Sequence, residues 1–169
     1  MEQMKDYITG KDINIVGPEV SRQNFEKFLV ETRGYKKKEI LVDVPLTVQF
    51  KGNDYCSSID LVVRVHEKAV MAITCVAGSI GSYEREILAG ARLLQDDYQI
   101  PFAVSTDGKN AVIMDTVSGR TIGKKMSDIF SREKIAMMLP DLTFTPFDKT
   151  KKEREMIIYR SFNMEKINR

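Results

Sequence analysis

The run Val70-Met71-Ala72-Ile73-Thr74-Cys75-Val76-Ala77 contains a single polar residue, Thr74. It is far shorter than the roughly 20 apolar residues that a membrane span needs. It therefore reads as a central strand covered on both faces, as parallel strands usually are. The residues that follow fix its setting. Gly78-Ser79-Ile80-Gly81-Ser82 breaks the pattern, with Ser82 placed to cap a helix. Ile87, Leu88, Ala91, Leu94 and Tyr98 then form one helical stripe that stops before Pro101. Phe102 to Thr106 resumes as a strand. A strand–helix–strand unit of this length joins parallel strands through a right-handed crossover.

Upstream, Val42, Val44, Leu46, Val48 and Phe50 alternate with polar residues across positions 40–51, and Pro45 suits an edge strand. Gly52-Asn53-Asp54 makes the turn, and Ser57 to His66 puts Ile59, Leu61, Val63 and Val65 on one face. Before these strands, Pro18 and Glu19 open a helix carrying Ser21, Phe25, Phe28, Leu29 and Thr32, and Gly34 closes it. Asp107-Gly108 is a turn into a strand at Ala111 to Met114. The expected fold is α/β, a mixed sheet flanked by helices. One domain is expected over 1–169, with a core at 12–123 and a charge-rich, mainly helical extension at 124–169.

Twenty-six Lys and Arg against 24 Asp and Glu leave a net charge of +2, so the overall field selects no polyanion. Cys56 and Cys75 lack the CxxC spacing of a zinc ribbon, and the N-terminus lacks the apolar stretch of a signal peptide. A cytoplasmic protein without a membrane segment is expected. His66, alone of its kind, precludes a multi-histidine metal site and reads as an exposed turn residue. Gly78 to Ser82 lacks a P-loop lysine and reads as a βα turn, although its N–H groups are placed where an anion would dock.

Four local patterns carry a resemblance: Glu19-x-x-Arg22, Arg33-Gly34-Tyr35-Lys36, Ile59-Asp60-Leu61-Val62-Val63, and Ile100-Pro101-Phe102-Ala103-Val104-Ser105-Thr106-Asp107-Gly108. In this order and spacing, across about residues 12 to 123, they resemble the N-terminal domain of type I restriction enzyme R subunits, within the PD-(D/E)XK nuclease superfamily. The resemblance implies a restriction-endonuclease-like fold, DNA as partner, and Mg²⁺ as cofactor. It also implies an acid on one strand and E-x-K on the next. Two carboxylates then hold Mg²⁺ at the scissile phosphate, and the lysine orients the attacking water. Asp60 stands at the strand acid. The E-x-K positions fall on Thr74-Cys75-Val76, so the second acid and the lysine are both missing. A threonine hydroxyl is a poor ligand for a hard cation, and Val76 orients no water.

Three readings of different class stay open. The first is an accessory or nucleic-acid-binding module that has lost cleavage, with Arg22, Lys36, Lys37, Ser82 and Arg85 as phosphate contacts. The second is a Mg²⁺-dependent endonuclease with a migrated site. There Asp60 and Glu19 would hold the metal, and Glu84 or Glu86 and Arg85 at the second helix would replace what Thr74 and Val76 cannot supply. The third is a self-associating structural protein, a homo-oligomer or a partner in a restriction–modification assembly. Basic runs at Tyr35 to Lys38 and Lys149 to Lys152 read as solvated surface that can also meet phosphate. Loss of both E-x-K groups favours the first and third readings over the second.

Overall fold

The structure is a computed structural model that describes residues 1–167; the last two positions of the expected extension lie outside it. Its centre is a six-stranded mixed sheet ordered β3-β4-β5-β6-β7-β8. The strands are β3 (Ile40–Phe50), β4 (Asn53–Val65), β5 (Lys68–Cys75), β6 (Phe102–Thr106), β7 (Ala111–Asp115) and β8 (Thr121–Gly123). β5 and β6 are parallel and the other neighbours antiparallel. The helices are α1 (Glu19–Lys27), α2 (Glu84–Leu93), α3 (Arg132–Met138) and α4 (Lys152–Ile167). Helix α2 makes the crossover between β5 and β6, as the apolar run predicted. No helix among the described residues is long and apolar enough to cross a membrane.

Each face of the sheet carries its own core. Phe25 of α1, Leu29 just after it and Ile135 of α3 pack with Leu61, Val63, Met71 and Ile73. Ile87, Leu88 and Ala91 of α2 and Tyr159 of α4 pack on the other face with Ile59, Val62, Ala72 and Ala103. β5 is buried from Ala69 to Cys75, which is why its sequence shows no alternation. β3 is an edge strand, where the missing N–H of Pro45 breaks no central ladder.

The edge hairpin departs from simple alternation, and the departure creates the site. Ile40 and Val42 face the α1 layer, whereas Val44, Leu46 and Val48 face the α2 layer. On β4, Leu61 and Ile59 are likewise split between the two faces. Val42 pairs with Leu61 and Val44 with Ile59, so the register holds while Asp43 and Asp60 between them fall out of the ladder. Asp43 has φ +53°, a left-handed conformation that rotates the strand by half a turn. Strand irregularities of this kind re-aim side chains, and they cluster beside functional sites. Period-2 reading assigned each strand a single face because one left-handed residue is invisible to it.

Three further differences have local causes. Ser82 does not cap α2: a 3-10 turn at Ile80–Tyr83 precedes the helix, and Tyr83 occupies the cap position. The first helix widens into a π turn at Phe28–Thr32 before Gly34, at φ +80°, ends it. A separate two-stranded hairpin, β1 (Gln3–Lys5) with β2 (Asp12–Asn14), precedes α1. These strands are too short for a periodicity to show.

Candidate functional site

Asp60 projects from the break in β4 toward the end of β5. Its Oδ2 accepts the backbone N–H of Cys75 at 2.7 Å and faces the Thr74 hydroxyl at 3.4 Å. The two positions that the sequence paired across neighbouring strands therefore do meet. The third member comes from the far end of the chain. Lys166, in the last turn of α4, places Nζ 3.1 Å from Asp60 Oδ2, 2.6 Å from Thr74 Oγ1 and 3.6 Å from Glu86 Oε1. Its three N–H donors thus converge on a carboxylate, a hydroxyl and a second carboxylate.

The electrostatics follow from that enclosure. Burial disfavours the ammonium of Lys166, but the charges of Asp60 and Glu86 outweigh it and hold its pKa above the ordinary lysine value. Burial raises the pKa of Glu86, which is 3% exposed; Lys166 offsets the shift only in part, and Asp60 adds to it. Glu86 Oε2 accepts Asn163 Nδ2 at 3.4 Å, and Asn163 Oδ1 accepts the hydroxyls of Tyr55 and Ser57 at 2.6 and 2.7 Å. Lys166 is therefore anchored through its own helix to β4, three residues back.

The remaining candidates from the sequence divide clearly. Glu19 lies beside Arg22, whose guanidinium bonds Glu19 Oε2 at 2.9 Å and Asp43 Oδ1 at 2.7 Å. Burial raises the pKa of Glu19 despite Arg22, with Asp43 and Asp60 adding to the shift. Arg22 is 6% exposed, and its two terminal nitrogens are taken by acids while its buried Nε has no hydrogen-bond partner among the described residues. Arg85 turns away from Asp60 and forms a two-pronged pair with Glu155 of α4, at 2.6 and 2.9 Å, which Arg92 joins at 3.2 Å. That pair fixes α4 to α2. Glu84 is partly exposed and has no bond to Asp60, so the acid that α2 brings to the site is Glu86, two residues on. Ser82, Lys36 and Lys37 are exposed.

Beside Lys166 lies a cavity of about 330 Å³, bounded by Gly17, Pro18, Cys75, Val76 and Tyr83. Val76 adds apolar surface to its wall. Burial pushes the Cys75 thiol well up, so it is a packing residue and not a nucleophile. Among the described residues, no group of three or more His, Cys, Asp or Glu is arranged to hold a metal ion. Asp60 and Glu86 would offer two carboxylates, but an ammonium stands between them.

Compared with known families, residues 17–129 match the type I restriction enzyme R protein N terminus, which is more than half of the 169-residue chain. The chain belongs to that family. No curated protein and no solved structure matches it. Asp60, Thr74 and Glu86 lie inside the part shared with the restriction enzyme R protein N terminus, while Glu155, Asn163 and Lys166 lie beyond it. Those three were absent from the sequence reading, although a signal exists. Glu155, Tyr159 and Asn163 recur every four residues, and all three are buried. The inward stripe of α4 is thus polar where a packing helix is normally apolar.

Proposed function

We propose that this chain is a PD-(D/E)XK-type nuclease fold that contacts nucleic acid without cutting it, an accessory module in which Lys166 replaces the catalytic metal. The position of the Lys166 ammonium among Asp60, Thr74 and Glu86 carries the reading. It neutralises the residual acids from within, so the fold survives loss of E-x-K with no unpaired buried charge. Binding a divalent cation there would require expelling a lysine that two carboxylates hold. Phosphate contacts fall to exposed groups such as Lys36 and Lys37, since acids of the same chain already occupy Arg22 and Arg85.

A second reading rests on the same three side chains. Asp60, Glu86 and Lys166 are chemically the acid, acid and lysine of the superfamily, drawn from β4, α2 and α4 in place of two strands. One experiment separates the two. Supercoiled plasmid is incubated with Mg²⁺ or Mn²⁺ and the wild type, Asp60→Ala, Glu86→Gln or Lys166→Ala. Equal background in all four supports the non-cutting module. Metal-dependent nicking by the wild type that all three variants lose establishes the migrated nuclease and ends the first reading. Mn²⁺ binding by electron paramagnetic resonance adds a direct check: on the first reading Lys166→Ala binds the ion more tightly than the wild type.

A further inference from the structure

The N-terminal hairpin brings together a second set of buried acids. Asp6, in the β1–β2 loop, is 2% exposed, and Glu26, on α1, is 0% exposed. The Asp6 carboxylate is well supplied with donors. Its Oδ1 accepts the N–H groups of Ile8 and Thr9 at 3.1 and 2.7 Å, and its Oδ2 accepts Gln23 Nε2 at 2.8 Å. Glu26 has the opposite surroundings, with no donor bonded to either carboxyl oxygen. An ionised carboxylate so placed is strongly disfavoured, whereas a protonated one brings its own donor. Asp6 lies within hydrogen-bonding reach of it.

The groups facing Glu26 come from three elements: Asp6 from the hairpin loop, Arg22 and Glu19 from α1 itself, and Cys75 from β5. Arg22 already serves Glu19 and Asp43 and stands 4.0 Å from Asp6 Oδ2, so its charge is shared. We propose that Asp6 and Glu26 form a proton-binding site that clamps the N-terminal hairpin to α1, and that loss of the proton releases the hairpin. Gly17 and Pro18, between the hairpin and α1, line the cavity beside Lys166, so release loosens one wall of it.

The direction of the pH dependence follows from the two states. Burial first, and then the charge of Asp6, push Glu26 up to about 8 when the hairpin is docked. Burial acts against Asp6 as well, but the bonds from Thr9 and Gln23 outweigh it and keep Asp6 the charged partner. Once the hairpin leaves, Glu26 returns toward the ordinary value of 4.5. The docked form therefore holds a proton that the released form gives up. Docking weakens about tenfold per pH unit as pH rises through the window between these values, and levels off above about pH 8.

The Tyr7 amide reports the clamp, because it donates to Gln23 Oε1 of α1 at 2.7 Å across the joint. Its hydrogen exchange is measured by NMR on the full chain from pH 5.5 to 7.5 and divided by the intrinsic rate at each pH. The expected result is protection that falls about tenfold per pH unit in the wild type. In Glu26→Gln, which keeps a donor for Asp6 and cannot titrate, protection is expected to be flat. A flat wild-type series overturns the proposal without any variant, and so does an unchanged slope in Glu26→Gln.

Discussion

Replacing Lys166 by methionine removes the charge at the centre of the site while keeping most of the side-chain volume. At 3.1 Å from Asp60 and 3.6 Å from Glu86, the ammonium gains roughly 5 kcal/mol from each carboxylate at an effective dielectric of about 20, before desolvation. Most of that gain offsets the cost of taking three charges out of water. Removing the cation leaves that cost uncompensated, which for buried pairs is about 3–5 kcal/mol. The side chains of Lys166 and Asp60 retain 18% and 19% exposure, so water screens part of it and about 2–4 kcal/mol is expected. In a chain of this size that lowers Tm by about 5–15 °C.

The loss also depends on pH. Without Lys166, the folded variant relieves the repulsion between Asp60 and Glu86 by keeping a proton on Glu86, whose pKa burial already raises. The unfolded chain releases that proton above the ordinary value of 4.5, so the variant's deficit grows as pH rises from 5.5 to 8. Urea unfolding of both proteins at the two pH values, followed by circular dichroism, measures it. A deficit under about 0.5 kcal/mol at pH 8, the level of a surface substitution, would refute the picture of a buried neutralising lysine.

Three other outcomes are expected. Glu155→Gln weakens the anchor of α4 by about 2 kcal/mol, since it loses the charged pairs to Arg85 and Arg92. Burial works against the Glu155 charge, but Arg85 outweighs it and holds the pKa low, so thermal melts of variant and wild type should converge as pH falls below the ordinary 4.5. Gly108→Ala is expected to cost about 2 kcal/mol in chemical denaturation: φ is +85°, and a Cβ would stand 2.9 Å from the Ser21 carbonyl oxygen of α1. An unchanged midpoint would mean that the β6–β7 turn yields freely. Nucleic-acid binding, read by fluorescence anisotropy with labelled duplex and single strands, is expected to be weak and indifferent to sequence. It should fall at least tenfold between about 50 and 200 mM salt, because phosphate contacts release counterions. Salt-independent binding would argue against phosphate contacts.

Segments whose burial repeats regularly were legible before any coordinates. The run from Val70 to Ala77 marked the central strand, Pro45 the edge, and the Ile87–Leu88–Ala91 stripe the crossover helix, because burial on a fixed face imposes a fixed period on the sequence. The family resemblance also placed Asp60 and Thr74 on neighbouring strands, where they do meet. The polarity reversal at Asp43 escaped, because a single left-handed residue reverses the faces of a strand without altering its composition.

What surrounds Asp60 and Thr74 was decided only by the tertiary structure. Asp60 and Thr74 lie one step beyond the Leu61–Ile73 pair, so the strand register, a local rule, brings them together. Glu86 reaches them because α2 packs back over β5, and Lys166 because the Arg85–Glu155 pair and Asn163 hold α4 against that same helix and β4. Lys166 is 106 residues from Asp60 in the chain, and no periodicity links positions so far apart. The sequence by itself determined a mixed α/β sheet with Asp60 and Thr74 on neighbouring strands; packing of the last helix put an ammonium beside Asp60 and Glu86, because buried carboxylates need a cation and α4 carries one to them.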